Sequence, residues 1–285
     1  MKIGIIGSNG FIGSNLYNYL LKKKKLKIIR FSSFKKNKNN WINKVSNEIR
    51  FFKPEIIINC AASQILNDDK KSIINLLNSN LYSNIHFLKE ATNHKSFKGF
   101  IIFGTKWEFD QNRNFKPLNF YAATKHANDT FLKYFSLKKN ITTISLKIFD
   151  TYGKNDKRKK ILNLLLKSYK SNKILKITPG NQYLDFVHIQ DVLELILLIC
   201  KDIDDKKLTG FNYYTVSSKK PIKLRKLINK INTELNGRLK VKIGAKKYRS
   251  SEAMKKIDKI KNYPGWKPKL NLIKEILKIF KKNHD

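Results

Sequence analysis

Lys2-Ile3-Gly4-Ile5-Ile6-Gly7-Ser8-Asn9-Gly10-Phe11-Ile12-Gly13 decides the fold of this 285-residue chain. Lys2 to Gly7 is a β-branched run closed by glycine, the pattern of a buried strand. Gly7, Gly10 and Gly13 follow at three-residue spacing, and Leu16, Tyr19 and Leu20 then recur at helical spacing. A strand, a glycine turn and an amphipathic helix in that order make a dinucleotide-binding loop. Glycine is needed where the chain turns sharply, where backbone approaches a pyrophosphate and where helix packs on strand. The helix N-terminus then offers N–H groups and a positive dipole end to the phosphates. The contacts expected here are Gly7, Asn9, Gly10, Phe11, Ile12 and Gly13.

Outward from this loop, strands and helices alternate. Leu26 to Phe31, Glu55 to Cys60, Gly99 to Phe103 and Ile141 to Phe149 read as strands. Ile73 to Ala91 and Tyr121 to Phe135 read as helices, the first with Ile73, Leu77, Leu81, Ile85 and Leu88 on one stripe. Such alternation predicts a doubly wound parallel sheet of α/β class. After Gly153 the pattern loosens. Lys159 to Tyr169, Asp191 to Cys200, Leu224 to Leu235 and Leu272 to Phe280 are helical, Gly180 to Val187 is extended, and Phe211 to Val216 is a strand. The charged stretches Lys35 to Asn40, Lys154 to Lys160 and Lys201 to Lys207 are expected to be solvated connections.

No run of apolar residues is long enough to span a bilayer, no secretory signal stands at the start, and a cytoplasmic, non-membrane protein is expected. Cys60 and Cys200 lie far apart in apolar contexts and indicate neither a disulfide framework nor a metal site. The net charge of +39 raises the question of nucleic acid. Only seven of the 60 basic residues are arginine, and lysine, asparagine and isoleucine are abundant throughout. Base readers lean on arginine forks, so compositional bias is the better account and nucleic acid is not the expected partner.

Acid–base chemistry is indicated by Tyr121-Ala122-Ala123-Thr124-Lys125. The i,i+4 spacing puts both side chains on one helical face, where an ammonium is expected to stabilise tyrosinate and lower the phenol's pKa. Thr105, at the end of the strand before, can hydrogen-bond the same substrate oxygen. The second strand ends Ile28-Ile29-Arg30-Phe31-Ser32-Ser33. The acid that commonly binds the adenosine ribose is missing there. Arg30 and Ser32 suit a 2′-phosphate instead, which favours NADP(H) over NAD(H).

Taken in order, these elements resemble the extended short-chain dehydrogenase/reductase (NAD-dependent epimerase/dehydratase) family over nearly the whole chain. The resemblance also rests on Asn59-Cys60-Ala61-Ala62, Asn80, Leu146 to Gly153, Asp185 to Asp191, Tyr248-Arg249 and Gly265-Trp266-Lys267-Pro268. It implies a Rossmann domain over 1–150 and 182–216 and a smaller sugar-nucleotide-binding α/β domain over 151–181 and 217–285. It implies Tyr121 as acid–base, Lys125 on the nicotinamide ribose and Thr105 on the substrate oxygen. Ala61, Ala62, Asn80 and Ile148 join the expected cofactor contacts; Lys106, Trp107, Asp150 and Arg249 join Thr105 at the substrate. His188, Asp191 and Trp266 are expected to be structural. Glu108 is expected to be at least as much an exposed, salt-bridged carboxylate as a site residue. Leu184, where the family often has arginine, and Lys154, where it usually has proline, leave the diphosphate to Arg249 and nearby lysines. A homodimer through helices 73–91 and 121–135 is a further implication.

Dehydratases of this family carry Asp-Glu directly after the threonine, and fucose-synthase-like epimerase-reductases carry cysteine two positions beyond it. This chain has Lys106-Trp107. What remains is net reduction of a 4-keto sugar or 4-epimerisation by transient oxidation. The Arg30 context and the short Thr105–Tyr121 loop favour the reductase, with most likeness to the CDP-abequose/paratose synthase branch, acting on CDP- or dTDP-linked deoxysugars for surface polysaccharide such as O-antigen. NAD-dependent 4-epimerisation is the alternative, and an RNA-binding, non-catalytic member of the family is an alternative of another class.

Overall fold

The computed structural model describes residues 1–33, 40–110, 112, 114–249, 252–257 and 261–281. The charged loop expected from Lys35 lies outside the described residues up to Asn40.

The chain forms two units. The first comprises Met1–Asp110, Phe115–Ile148 and Leu193–Thr215. With strands and helices numbered in chain order, its sheet holds β1 (Lys2–Ile6), β2 (Lys27–Arg30), β3 (Ile56–Asn59), β4 (Gly99–Thr105), β5 (Thr142–Ile148) and β10 (Phe211–Val216), in the order β10-β5-β4-β3-β1-β2. β1 to β5 pair in parallel. β10 runs the same way along β5, since Thr143 N donates to the Gly210 carbonyl and Phe149 N to that of Val216. Every residue of β3 is buried, as strands covered on both faces require. Around the sheet lie α1 (Phe11–Leu21), α2 (Trp41–Phe52), α3 (Lys70–Leu77), α4 (Ser83–Ala91) and α5 (Phe120–Lys139). Strand order reverses between β1 and β3, and such a switch point opens a crevice at the carboxyl ends of the strands. The expected Rossmann architecture is therefore present.

Two helical features depart from the sequence reading. α2 occupies a stretch in which no element was expected. Trp41, Val45 and Ile49 are all buried at four-residue spacing, a stripe thinned by the lysines and asparagines around it. Trp41 meets the edge of Phe87 at 5.3 Å between ring centroids. The single helix expected over 73–91 is two helices joined by a π-helical turn, Asn78–Tyr82. An extra residue in a turn shifts the helical phase by about 100°. The buried face therefore runs through Leu76, Asn80, Asn84 and Phe87, while Leu77, expected on the buried stripe, is exposed.

The second unit comprises Gln111–Asn114, Phe149–Val192 and Val216–Asp285. β6 (Asp150–Tyr152) pairs in parallel with β9 (Phe186–His188), and β7 (Leu175–Lys176) with β12 (Val241–Lys242). β8 (Tyr183–Leu184) pairs antiparallel with β11 (Ile222–Lys223). Thus 182–192, grouped with the first domain by the sequence reading, is paired within this unit. α6 (Ile161–Ser171), α8 (Leu224–Glu234) and α9 (Leu272–Lys281) enclose Leu165, Leu227, Ile231, Ile276 and Phe280. Full burial of each such side chain stabilises by about 1.5–3 kcal/mol. α7 (Ile189–Asp204) and the rest of the described residues include no helix long and apolar enough to cross a membrane.

Candidate active site

The glycine loop is shaped by contacts that exclude a side chain. Gly7 has φ +75°, and a Cβ there would stand 2.4 Å from Ala61 N. A Cβ on Gly13 would stand 2.3 Å from the Gly7 carbonyl oxygen. Gly10 differs, because its Cβ would meet that oxygen at 3.4 Å, an ordinary contact. It closes the turn by donating to Gly7 O at 3.0 Å. Gly10 is also the N-cap of α1, and no side chain caps that end. Phe11 and Ile12 open the helix. The close-packed turn and the side-chain-free helix start fit a pyrophosphate; Gly7, Gly10, Gly13 and the start of α1 could hold it.

Arg30 reaches back over this loop from the end of β2. Its Nε donates to Ser8 Oγ at 3.2 Å and its Nη2 to Asn9 Oδ1 at 2.8 Å. Its guanidinium lies 4.6 Å from the Tyr17 ring centroid, a cation–π contact. Ser32 is engaged otherwise. Its amide and hydroxyl donate to the two carboxylate oxygens of Glu48 in α2, at 2.8 and 2.5 Å. The acid missing from the end of β2 thus arrives from α2, with both oxygens occupied by Ser32.

A buried amide network ties the loop after β3 to the helices behind it. Asn59 Oδ1 accepts from Ala61 N at 2.9 Å, and its Nδ2 donates to Asn84 Oδ1. Asn80 Oδ1 accepts from Ser63 N, and its Nδ2 donates to Ser63 O and Thr124 Oγ1. The Asn80 carbonyl, within the π turn, accepts from Asn84 Nδ2 and Asn128 Nδ2, at 2.7 and 2.8 Å. Thr124 Oγ1 donates to Tyr121 O at 2.8 Å. Asn59 therefore holds Ala61, while Asn80 holds Ser63 beside Ala62 and the first turn of α5, which carries Tyr121.

Tyr121 and Lys125 lie one turn apart on the buried side of α5, 8% and 3% exposed. Asn119 caps that helix, its Oδ1 accepting from Ala122 N at 2.9 Å. Thr105 ends β4 and pairs in register with Ile148 at the end of β5. It caps the 3₁₀ turn Lys106–Glu108: Trp107 N donates to Thr105 Oγ1 at 3.3 Å, and Thr105 N donates to Glu108 Oε1 at 2.7 Å. Trp107 stands edge-on to Tyr121, 6.2 Å between centroids, and Lys106 beside it is partly buried. Glu108 has no exposed surface. The expectation of an exposed carboxylate is corrected: Glu108 pairs inward with Lys147 of β5. Burial pulls the Lys125 ammonium down to about 8, with Lys147 adding to the effect and Glu108 and Cys60 opposing it. The Tyr121 phenol moves opposite to the expectation. Burial and the Glu108 charge push it above the usual tyrosine range, because desolvation penalises the phenolate and a neighbouring carboxylate repels it.

The remaining expected substrate residues belong to the second unit. Asp150 opens β6 and its amide donates to Asp185 O at 2.9 Å. Arg249 is exposed and follows Tyr248, whose hydroxyl accepts from Asn181 N at 2.9 Å.

Residues 3–212 match the NAD dependent epimerase/dehydratase family. The chain belongs to that family. It is 28% identical to CDP-abequose synthase of Yersinia pseudotuberculosis, over 95% of this chain and 96% of that one. In fold it is similar to UDP-glucose 4-epimerase of Thermotoga maritima with UDP-glucose, at TM-score 0.82 and 17% identity, covering 100% of both chains. It is likewise similar to RMD of Pseudomonas aeruginosa complexed with NADPH, at TM-score 0.76 and 16% identity over 100% of both.

In this epimerase/dehydratase-family chain, the residues left out of the chemistry have structural partners. The Asp191 carboxylate accepts from the amides of Lys269 and Leu270 at 3.0 and 3.4 Å, and its carbonyl from Trp266 Nε1 at 3.1 Å. His188 Nδ1 accepts from Gln190 N at 3.2 Å. Sequence reading missed Glu48, Asn84, Asn128, Asp129 and Lys147. Each acts on a residue 16 or more positions away or in another element. Asn84 and Asn128 carried a signal, since asparagines at the i+4 positions from Asn80 and Thr124 share their helix faces.

Proposed function

We propose that this protein reduces the 4-keto group of a nucleotide-linked deoxysugar, of CDP or dTDP type, at the expense of NADPH. The observation that carries this reading is Arg30, hydrogen-bonded to Ser8 and Asn9 above the glycine loop. A guanidinium there matches the geometry of a 2′-phosphate, and the Glu48 carboxylate has both oxygens on Ser32. Similarity to CDP-abequose synthase over 95% of the chain supports the substrate class.

The dinucleotide supplies the hydride for C4 when bound. The chain supplies the proton and the orientation. Trp107 N–H occupies an acceptor site of Thr105 Oγ1, which leaves the threonine proton to donate to the C4 oxygen. Tyr121, kept neutral by burial and by Glu108, is in the acid form that net reduction requires; its phenolic proton passes to the C4 oxygen as that oxygen gains charge. Lys125 holds the nicotinamide ribose and stabilises the phenolate that results. Glu108 is committed to Lys147 and Thr105 N, which argues against its serving the elimination of water. Asp150, Arg249, Lys106 and Trp107 are the proposed substrate contacts. Exposed Ile74, Leu77, Tyr82, Phe131 and Tyr134 on α3, the π turn and α5 support a homodimer through these helices.

The test is NADPH oxidation upon adding a nucleotide-linked 4-keto-deoxysugar. Tyr121→Phe should lower kcat about 100-fold or more and leave NADPH affinity intact. Turnover of UDP-galactose without added cofactor would replace this reading with epimerisation. Salt-sensitive RNA binding without dinucleotide binding would replace it with a non-catalytic role.

A further inference from the structure

A buried charge cluster lies under the Thr105 turn. Lys147 and Glu108 have no exposed side-chain surface, and the Lys147 ammonium also contacts Asp129 of α5 at 2.9 and 2.8 Å. His126 Nδ1 stands 3.9 Å from an oxygen of each carboxylate, its ring stacked on Phe115 at 3.7 Å. Glu108, His126 and Asp129 are close enough together to hold a cation, and the cation among them is the lysine. The two Glu108 oxygens divide their work: Oε2 pairs with Lys147, and Oε1 accepts from Thr105 N at 2.7 Å. Gly104 is the residue the pair requires above it. A Cβ there would stand 2.4 Å from Glu108 Oε1 and 2.6 Å from Lys147 Cδ.

Burying an ion pair is costly, and its best-attested use is to select one arrangement over others. We propose that Glu108, anchored by Lys147, is the positioning residue of the active site: it holds the Thr105–Glu108 turn so that the Thr105 hydroxyl and the Trp107 ring keep their stations beside Tyr121. The inference rests on the reading of Thr105, Tyr121 and Lys125 as the reacting set. A rigid ionic anchor does here what a solvated turn cannot, because a displacement of about 1 Å at a reacting group costs about 100-fold in rate. The cluster also sets the field in which that set ionises. Tyr121 faces Glu108 from the turn and Lys125 one turn along α5. Lys125 faces Glu108, Lys147 of β5 and Cys60 after β3. Glu108 itself faces Lys147, Asp129 and His126, and burial raises its carboxyl to about 7, so its charge is in place above that pH, where the alkaline limb is read.

Two variants separate reach from charge. Glu108→Asp keeps the charge and shortens the reach to Thr105 N. It should lower kcat about 10- to 100-fold, with KM for the sugar nucleotide and the pH profile little changed. Glu108→Gln keeps an oxygen for Thr105 N and removes the charge, while Lys147 retains Asp129. Its kcat should fall less, and the alkaline limb of its pH profile should move to lower pH, because both Lys125 and Tyr121 lose the carboxylate that opposes deprotonation. NADPH binding and thermal unfolding report the fold of each variant. If either fails to fold, Glu108→Gln combined with Lys147→Met removes both charges together and should still move the limb to lower pH, by less than Glu108→Gln alone, because Lys147 no longer opposes the Lys125 charge. Folded variants with wild-type kcat and pH profile, beside an inactive Tyr121→Phe, overturn this proposal alone. A fully active Tyr121→Phe overturns the site reading and this proposal with it.

Discussion

Gly10 and Gly13 share a motif yet face different constraints, and replacing each by alanine should separate them. At Gly13 the added Cβ falls 2.3 Å from the Gly7 carbonyl oxygen and 2.9 Å from Ser8 Cα. These are backbone atoms, and Gly7 cannot retreat, since its own far side is closed by Ala61 N. Overpacking of this kind costs up to about 3 kcal/mol. Alanine's better helix propensity at a position inside α1 returns about 1 kcal/mol. The net is a loss of about 2 kcal/mol, or a fall in Tm of about 4 °C in a chain of this size. At Gly10 the same Cβ meets only Gly7 O at 3.4 Å, and φ is −77°, so no backbone strain arises. Gly10→Ala should cost less than about 1 kcal/mol, the penalty of a poor N-cap. It should still raise the Kd for NADPH more than about 10-fold, because the methyl group stands at the open helix start where the pyrophosphate belongs. Thermal unfolding in the absence of nucleotide and NADPH fluorescence titration measure the two effects. Equal loss of Tm in both variants, or unimpaired NADPH binding by Gly10→Ala, would refute the reasoning.

Two further outcomes follow from named contacts. Lys125 carries its charge below a pKa of about 8 in the free protein, so kcat/KM should fall as pH rises through that value; a profile flat to the ordinary lysine range, near about 10, would show that burial does not depress it. Asp191→Ala leaves the amides of Lys269 and Leu270 without their carboxylate and should destabilise by about 1–3 kcal/mol, with NADPH affinity unchanged, whereas a rate loss at unchanged Tm would give Asp191 a chemical role.

The sequence alone determined the glycine loop, the parallel sheet and the Tyr121–Lys125 pair. Each is written within a short window: a positive φ or a close backbone approach demands glycine at one position, alternation fixes the sheet, and i,i+4 spacing fixes a shared helix face. Where the local pattern was diluted or interrupted, it misled. Lysines and asparagines obscured the Trp41–Val45–Ile49 stripe of α2, and the π turn at Asn78–Tyr82 turned Leu77 outward. Tertiary structure alone decided the charges. Whether Glu108 meets water or Lys147, 39 residues away, depends on the register of β4 against β5 and on Gly104 leaving room between them. Burial first, and the Glu108 charge after it, then raise the Tyr121 phenol, so the chemical state of the most legible residue in the sequence depends on where the fold places it and on one of the least legible residues. Coulomb interaction and desolvation depend on distance through the fold, and no spacing along the chain encodes them.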